Sequence, residues 1–286
     1  LYYSKKSEAV RTEPAPVDLK TFSVMQQNHQ PLILVTNDDG ITAPGIRALV
    51  EAVRDLGEVV VVAPDSPQSG TGHAITIGHP LRLNKVDVFG GLEAWQCSGT
   101  PVDCVKLARD KILKRKPDIC VSGVNHGANH SINIIYSGTM SAAMEAAIEG
   151  IPSVGFSLLD YTFEADFSIA KQVARQIAMR MLRDRQPEHT LLNVNIPALK
   201  GTEFKGIRIC RQAYAKWEED FDHRVDPRGN DYYWMVGAFR NLDDGDDTDV
   251  VALREGYASV VPVKFDFTDT ATRARLERDW SDLIND

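Results

Sequence analysis

The chain has little of what staples, anchors or steers a protein from outside its core. Its four cysteines, at positions 97, 104, 120 and 210, form no CxxC pair and have no metal-ligand spacing with histidine. That argues against a disulfide framework and against a thiolate zinc centre, so reduced core thiols of a cytoplasmic protein are expected. No run of 18 apolar residues occurs, so no membrane-spanning helix is predicted. The opening stretch LYYSKKSEAVRTEPAPVDLKTFSV lacks the apolar centre of a secretory signal. Residues 1–30 read as a tag or a flexible extension outside the fold. Positive charge is in the minority, with 32 Lys and Arg against 40 Asp and Glu. The resulting net charge of −8 favours solubility and argues against nucleic acid as a partner. A small anionic substrate needs only a local positive site, and stays open.

Two nucleotide signatures are also missing. GTGH, at 70–73, lacks the third glycine of GxGxxG, and no Walker pattern occurs. What remains is a 286-residue chain with 43% hydrophobic and 25% charged residues, the composition of a soluble globular enzyme.

From residue 31 the pattern is alternating. PLILVTN reads as a buried strand, PGIRALVEAVRDLG as an amphipathic helix and EVVVVAP as a second strand. Residues 74–96 suggest a β excursion with hairpin turns. TPVDCVKLARDKILKRK reads as a helix capped by Thr100 with Pro101 in its first turn. PDICVSGVN, SGTMSAAMEAAIEG, IPSVGFS, ADFSIAKQVARQIAMRMLRD and HTLLNVNIP continue as strand, helix, strand, helix and strand. Such alternation implies an α/β fold with a mostly parallel sheet covered on both faces, over residues 31–200. Residues 201–286 differ: short strands near GIRICRQ, DYYWMVGAF and YASVVPV suggest a smaller β-rich lobe, and TDTATRARLERDWSDLI a final polar helix or arm.

In open parallel sheets ligands bind beyond the carboxyl ends of the strands, so those ends carry the chemistry. The first gives Asn37, Asp38, Asp39 and Gly40; the second gives Asp65, Ser66, Ser69 and His73; SGVNHGAN gives Asn125, His126 and Asn129. Adjacent carboxylates repel, and a divalent cation would neutralise Asp38 and Asp39 together. Two carboxylates with hydroxyl and amide oxygens form a hard donor set that suits magnesium or manganese better than zinc. Ser137, Gly138 and Thr139 open a helix on the same rim, where free backbone N–H groups favour an anion. A cation site beside an anion site is what a phosphate ester requires. His73, His126 and His130 lie close by as candidate general acids or supporting donors, although most loop histidines are neither.

VTNDDGI, APDSPQSGTGH, SGTPVDCVKLA, PDICVSGVNHGAN and YSGTMSAAMEA, in this order, resemble the SurE family of stationary-phase survival proteins over about residues 32–265. The resemblance implies a Rossmann-like core and a metal-dependent phosphatase acting on nucleoside 5′- and 3′-monophosphates. It also implies one divalent ion per subunit, and a homodimer or homotetramer that exchanges a C-terminal element. Carried over by position, the metal ligands are Asp38, Asp39, Ser69 and Asn125; the phosphate contacts are Asn129, Ser137, Gly138 and Thr139. Asp38, Asp39 and Asn129 are then the catalytic group. Asp103 falls at a helix start near the site. DPRGNDYYW resembles a family stretch that reaches over the substrate, with His223 as a contact. HSINII replaces the family's glycine-acidic segment, which bears on substrate preference.

The chemistry expected is direct hydrolysis, because an aspartate committed to a cation is a poor nucleophile for an aspartyl-phosphate route. The competing reading is a nucleotide-binding or receiver-like regulator without turnover. A receiver needs a phosphoacceptor aspartate after a later central strand, and DICVSGVN offers none.

Overall fold

Leu32–Thr36 forms β1, and all five residues are buried. A run without polar alternation can only be satisfied between two covered faces, which places β1 at the centre of a sheet. In the computed structural model, residues 30–281 are described except Phe163, Lys200 and Thr202, together with Leu283. The N-terminal extension expected at residues 1–30 lies, save Gln30, outside the described residues.

Around β1 runs a nine-stranded sheet. Its other members are β2 (Glu58–Pro64), β3 (Leu83–Lys85), β4 (Glu93–Cys97), β5 (Ile119–His126), β6 (Ser153–Leu158), β7 (Leu191–Ile196), β8 (Ile207–Ile209) and β11 (Ala258–Val263). The order is β3-β4-β2-β1-β5-β6-β7-β11-β8. The six strands from β4 to β7 are mutually parallel. β3 and β11 pair antiparallel to the ends of that block. Read in chain order, the parallel block is 3-2-1-4-5-6, the doubly wound order, whose direction of winding reverses between β1 and β5.

Four helices cover the sheet in two pairs. α1 (Pro44–Val53) packs on α4 (Ser168–Arg183), and α2 (Pro101–Leu107) packs on α3 (Gly138–Ile148). Leu32, Leu34, Val60 and Val62 face Cys104, Val105, Ala142 and Ala146 in one apolar cluster. Burying each such aliphatic side chain contributes about 1.5–3 kcal/mol. Close approach is built in by glycine: a Cβ on Gly45 of α1 would stand 1.9 Å from the Val124 carbonyl oxygen. All four cysteines are buried and free of disulfide bonds.

The sequence pattern misses four details. α2 stops at Leu107 and continues as a π-helical turn over Ala108–Ile112, rather than running to Lys116; Pro117 disfavours helix at the residue before it. Of residues 74–96, only the short β3 and β4 form strands. The strands after residue 200 do not stay together. β8 and β11 join the main sheet, with β11 pairing to β7, so what stands apart is a hairpin of β9 (Ala215–Val225) and β10 (Asp231–Asn241). β9 (AKWEEDFDHRV) alternates only loosely, with Ala215, Trp217, Phe221 and Val225 on one face interrupted by Glu219 and His223, and nine of its eleven residues are exposed. A short helix α5 (Asp249–Arg254) precedes β11, and α6 (Thr270–Asp279), the last helix among the described residues, has no buried residue.

Candidate active site

β1 ends in Asn37-Asp38-Asp39-Gly40, and each residue of that turn has a local reason. The Asn37 amide donates to the Gly40 carbonyl at 2.9 Å, and Gly40 takes φ +97°, a conformation that side chains disfavour. The backbone N–H of Ile41 donates to Pro64 O at 2.9 Å, tying the turn to the end of β2. Asp38 is thereby buried to 5% exposure, while Asp39 is half-buried.

The carboxylate of Asp38 accepts the hydroxyl and the backbone N–H of Thr139, at the start of α3. Burial, reinforced by the charge of Asp39, pushes Asp38 up from 3.8 to about 6. Asp39 is raised as well, by burial, against the hydrogen bond it accepts from the His126 backbone N–H at 3.3 Å. No lysine or arginine among the described residues pairs with either carboxylate. Gly138 makes the approach of α3 feasible, since a Cβ there would lie 2.7 Å from the Cβ of Asp38. Ser137 caps the helix, its hydroxyl accepting from Met140 N at 3.0 Å.

Asn125 is the last residue but one of β5, next to a register shift against β6 that re-aims the strand's last side chains. Its amide nitrogen donates to the Gly127 carbonyl at 2.9 Å, which turns its oxygen the other way. Ser69 sits on the exposed loop after β2, next to Gln68, whose N–H donates to the Asp38 carbonyl at 2.8 Å. The structure thus brings Asp38 into contact with Gly138 and Thr139 and puts Asn125 and Ser69 one residue from backbone bonds to the aspartates.

Asn129 is held differently, in a buried network across the ends of β6 and β7. Its amide donates to Ser157 Oγ at 2.8 Å, its N–H to Asn195 Oδ1 at 2.8 Å, and its carbonyl accepts from Asn193 at 2.8 Å. Asn193, Asn195 and Ser157 escaped the sequence reading, although buried asparagines in the strand LLNVNI were a visible signal. Asp103 closes a capping box with Thr100 and accepts from Thr76 N at 3.2 Å, so its carboxylate is spent on structure. The ring of His126 packs on Phe167 at 5.6 Å, and that of His130 meets Phe239 edge-on at 5.1 Å. His223 pairs with Asp231 at 2.8 Å within the hairpin, and Asp226–Asn230 is the hairpin's own turn. The stretch DPRGNDYYW is thus the turn of the hairpin and the start of β10, paired antiparallel to β9.

Donor chemistry can be tested against a cation. Among the described residues no trio of histidine, cysteine, aspartate and glutamate gathers as a ligand set, so a zinc-type centre is absent there. Two carboxylates raised by burial, Asp38 also by the charge of Asp39, without a Lys or Arg partner among the described residues and with neutral oxygens close by, do fit a hard divalent ion.

The family described as "Survival protein SurE" matches residues 33–219. The chain belongs to the SurE family. Among SurE relatives, the "5′-nucleotidase SurE" of Christiangramia forsetii is 61% identical over 241 residues, covering 84% of this chain and 93% of that protein. Its namesake in Cytophaga hutchinsonii is 59% identical, covering 88% of this chain and 97% of its own. The crystal structure of the SurE protein from Aquifex aeolicus superposes with a TM-score of 0.75 at 40% identity, over 87% of this chain and 100% of that one. The five SurE motifs fall on the strand ends and helix starts described above.

Proposed function

We propose that the chain is a 5′-nucleotidase, a divalent-metal phosphomonoesterase that cleaves nucleoside monophosphates to nucleoside and phosphate. The observation that carries this is the Asp38–Asp39 pair at the winding reversal, facing a helix start, in a chain 61% identical to a protein named for that activity. Asp38, Asp39, Ser69 and Asn125 would hold one magnesium or manganese ion, which supplies the electrophile for the phosphoryl group. Gly138 and Thr139 present the helix start to phosphate oxygens, and the cap fixes Ser137 beside them. Asn129 keeps one amide proton on Ser157 and offers its second to the phosphate. With these oxygens held in place, charge spreading onto them in the loose transition state is stabilised without reorganisation. Water is the nucleophile, since both aspartates are engaged: Asp38 with Thr139, Asp39 with the His126 backbone.

The test is a chelator-stripped protein offered a panel of nucleoside 5′- and 3′-monophosphates, with sugar phosphates as controls. Hydrolysis should return only when magnesium or manganese is added. Full activity in excess chelator would refute the reading. Binding of nucleotide without turnover under any metal would turn it into a regulator.

A further inference from the structure

Glu145 is a carboxylate where the helix has every reason to exclude one. It lies on the inner side of α3, in SAAMEAAI, at 3% exposure between alanines that pack on the sheet. An isolated buried charge is costly, so a residue kept there needs partners. Glu145 has two, from two other segments. Lys106 of α2 reaches Oε1 at 2.5 Å, and His73 Nε2 lies 2.9 Å from Oε2. The carboxylate can only accept, so Nε2 carries the proton in that contact. Burial opposes the charge of Glu145, yet the bonds from His73 and Lys106 outweigh it and hold the carboxyl below its usual range.

His73 follows the exposed loop that carries Ser69. Asp65, Ser66, Pro67, Ser69, Gly70 and Thr71 are all exposed. Hydrogen bonds fix the loop at its ends, Asp65 N–H to Cys97 O at 2.8 Å and Ala74 O from Thr100 Oγ1 at 2.7 Å, and between them at Gln68 (to Asp38 O, 2.8 Å) and, more loosely, at Gly72 (to Tyr136 O, 3.3 Å). The side-chain bond from His73 is the one that fastens it to α3, the helix whose start holds Asp38. Lys106 occupies one carboxylate oxygen and so leaves the other facing the loop.

We propose that Glu145, clamped by Lys106, acts through His73 as a positioning group that sets the Ser69 loop against α3 and so presents Ser69 to the Asp38–Asp39 pair. This rests on the metal-site reading above. The three residues touch neither substrate nor ion, and their effect falls on affinity for the cation rather than on the chemical step.

The test compares His73→Ala, His73→Gln and the unaltered chain. Mn²⁺ dissociation constants are measured from the signal of unbound ion by electron paramagnetic resonance, with turnover at saturating Mn²⁺ and the unfolding midpoint in chelator as companions. His73→Ala should weaken Mn²⁺ binding about tenfold, the lower end for loss of a hydrogen bond behind a ligand. Turnover at saturating metal and the unfolding midpoint should stay close to those of the unaltered chain. His73→Gln carries an N–H donor at nearly the same reach and should restore affinity to within about twofold. Unchanged Mn²⁺ affinity in His73→Ala would overturn the inference, as would a His73→Gln variant as weak as alanine. An unaltered chain that neither binds Mn²⁺ nor needs it for turnover would instead defeat the metal-site reading itself, and this inference with it.

Discussion

At Asp38, burial and the charge of Asp39 act in the same direction, and the carboxyl rises from 3.8 to about 6. A group whose value is raised on folding is protonated more readily folded than unfolded. In the metal-free protein its contribution to stability is therefore complete below about pH 4 and lost as the pH passes through about 6. The shift corresponds to about 3 kcal/mol at neutral pH. Chelated protein should accordingly lose thermal stability from about pH 4 to about pH 6.5, and Asp38→Asn should show a shallower loss over that range. Equal pH slopes in the two proteins would mean that Asp38 is not the group titrating. Asp39→Asn keeps the shape and removes a charge intended for the cation, so turnover should fall on the order of 10²-fold. Near-normal turnover of that variant at saturating metal would reduce Asp39 to a turn residue.

Among the elements, α3 links the most features of the site. Its start carries Ser137, Gly138 and Thr139, its inner face carries Glu145, and its small residues let it sit close on the sheet. The same closeness appears where Met140 meets Gly155 of β6, with a Cβ on the glycine only 2.3 Å from the methionine sulfur. Gly138→Ala tests that packing at the site. Its added methyl would meet the Cβ of Asp38, which lies next to the backbone and has little freedom to move. The expected result is a loss of at least about tenfold in turnover with a stability cost of about 1–3 kcal/mol, as for overpacking elsewhere. A variant with unaltered Mn²⁺ affinity and turnover would show that the helix start does not set the position of Asp38.

On the scale of the whole molecule, the last two features leave apolar surface facing water. Phe221, Tyr233, Trp234 and Met235 on the hairpin are each more than half exposed, and Trp280 and Leu283 beyond α6 are exposed at 52% and 71%. Leu276, Trp280 and Leu283 follow helical spacing and form a narrow apolar stripe that needs a partner surface. We propose that a second subunit supplies it, giving a homodimer or homotetramer. A chain ending at Phe267 should then lose or change its oligomeric state in light scattering. An unaltered dimer would assign α6 to its own subunit.

The local pattern was enough for the class of fold, because a strand buried on both faces must be an unbroken apolar run, and an amphipathic helix must repeat at its own period. It also set Asp38, Asp39, Ser69 and Asn125 among the polar residues at the strand ends, since loops that follow parallel strands gather at one edge; the resemblance to the SurE family singled these four out as ligands. The hairpin strand Ala215–Val225 escaped because its alternating apolar face is interrupted by Glu219 and His223 and seven of its eleven residues are Lys, Arg, Asp, Glu or His. Glu145, Asn193 and Asn195 escaped as site neighbours because their partners lie 39 to 72 residues away in the first case and 64 and 66 in the others. Sequence alone determined which side chains stand at the strand ends, for that follows from nearest-neighbour chemistry along the chain. Only the tertiary structure decided that β1 and β5 adjoin at the winding reversal, that β11 returns to pair with β7, and that Asp38 meets Thr139 across 101 positions. Those contacts depend on the order in which strands pack, and burial, the force that sets it, acts between surfaces distant in the chain.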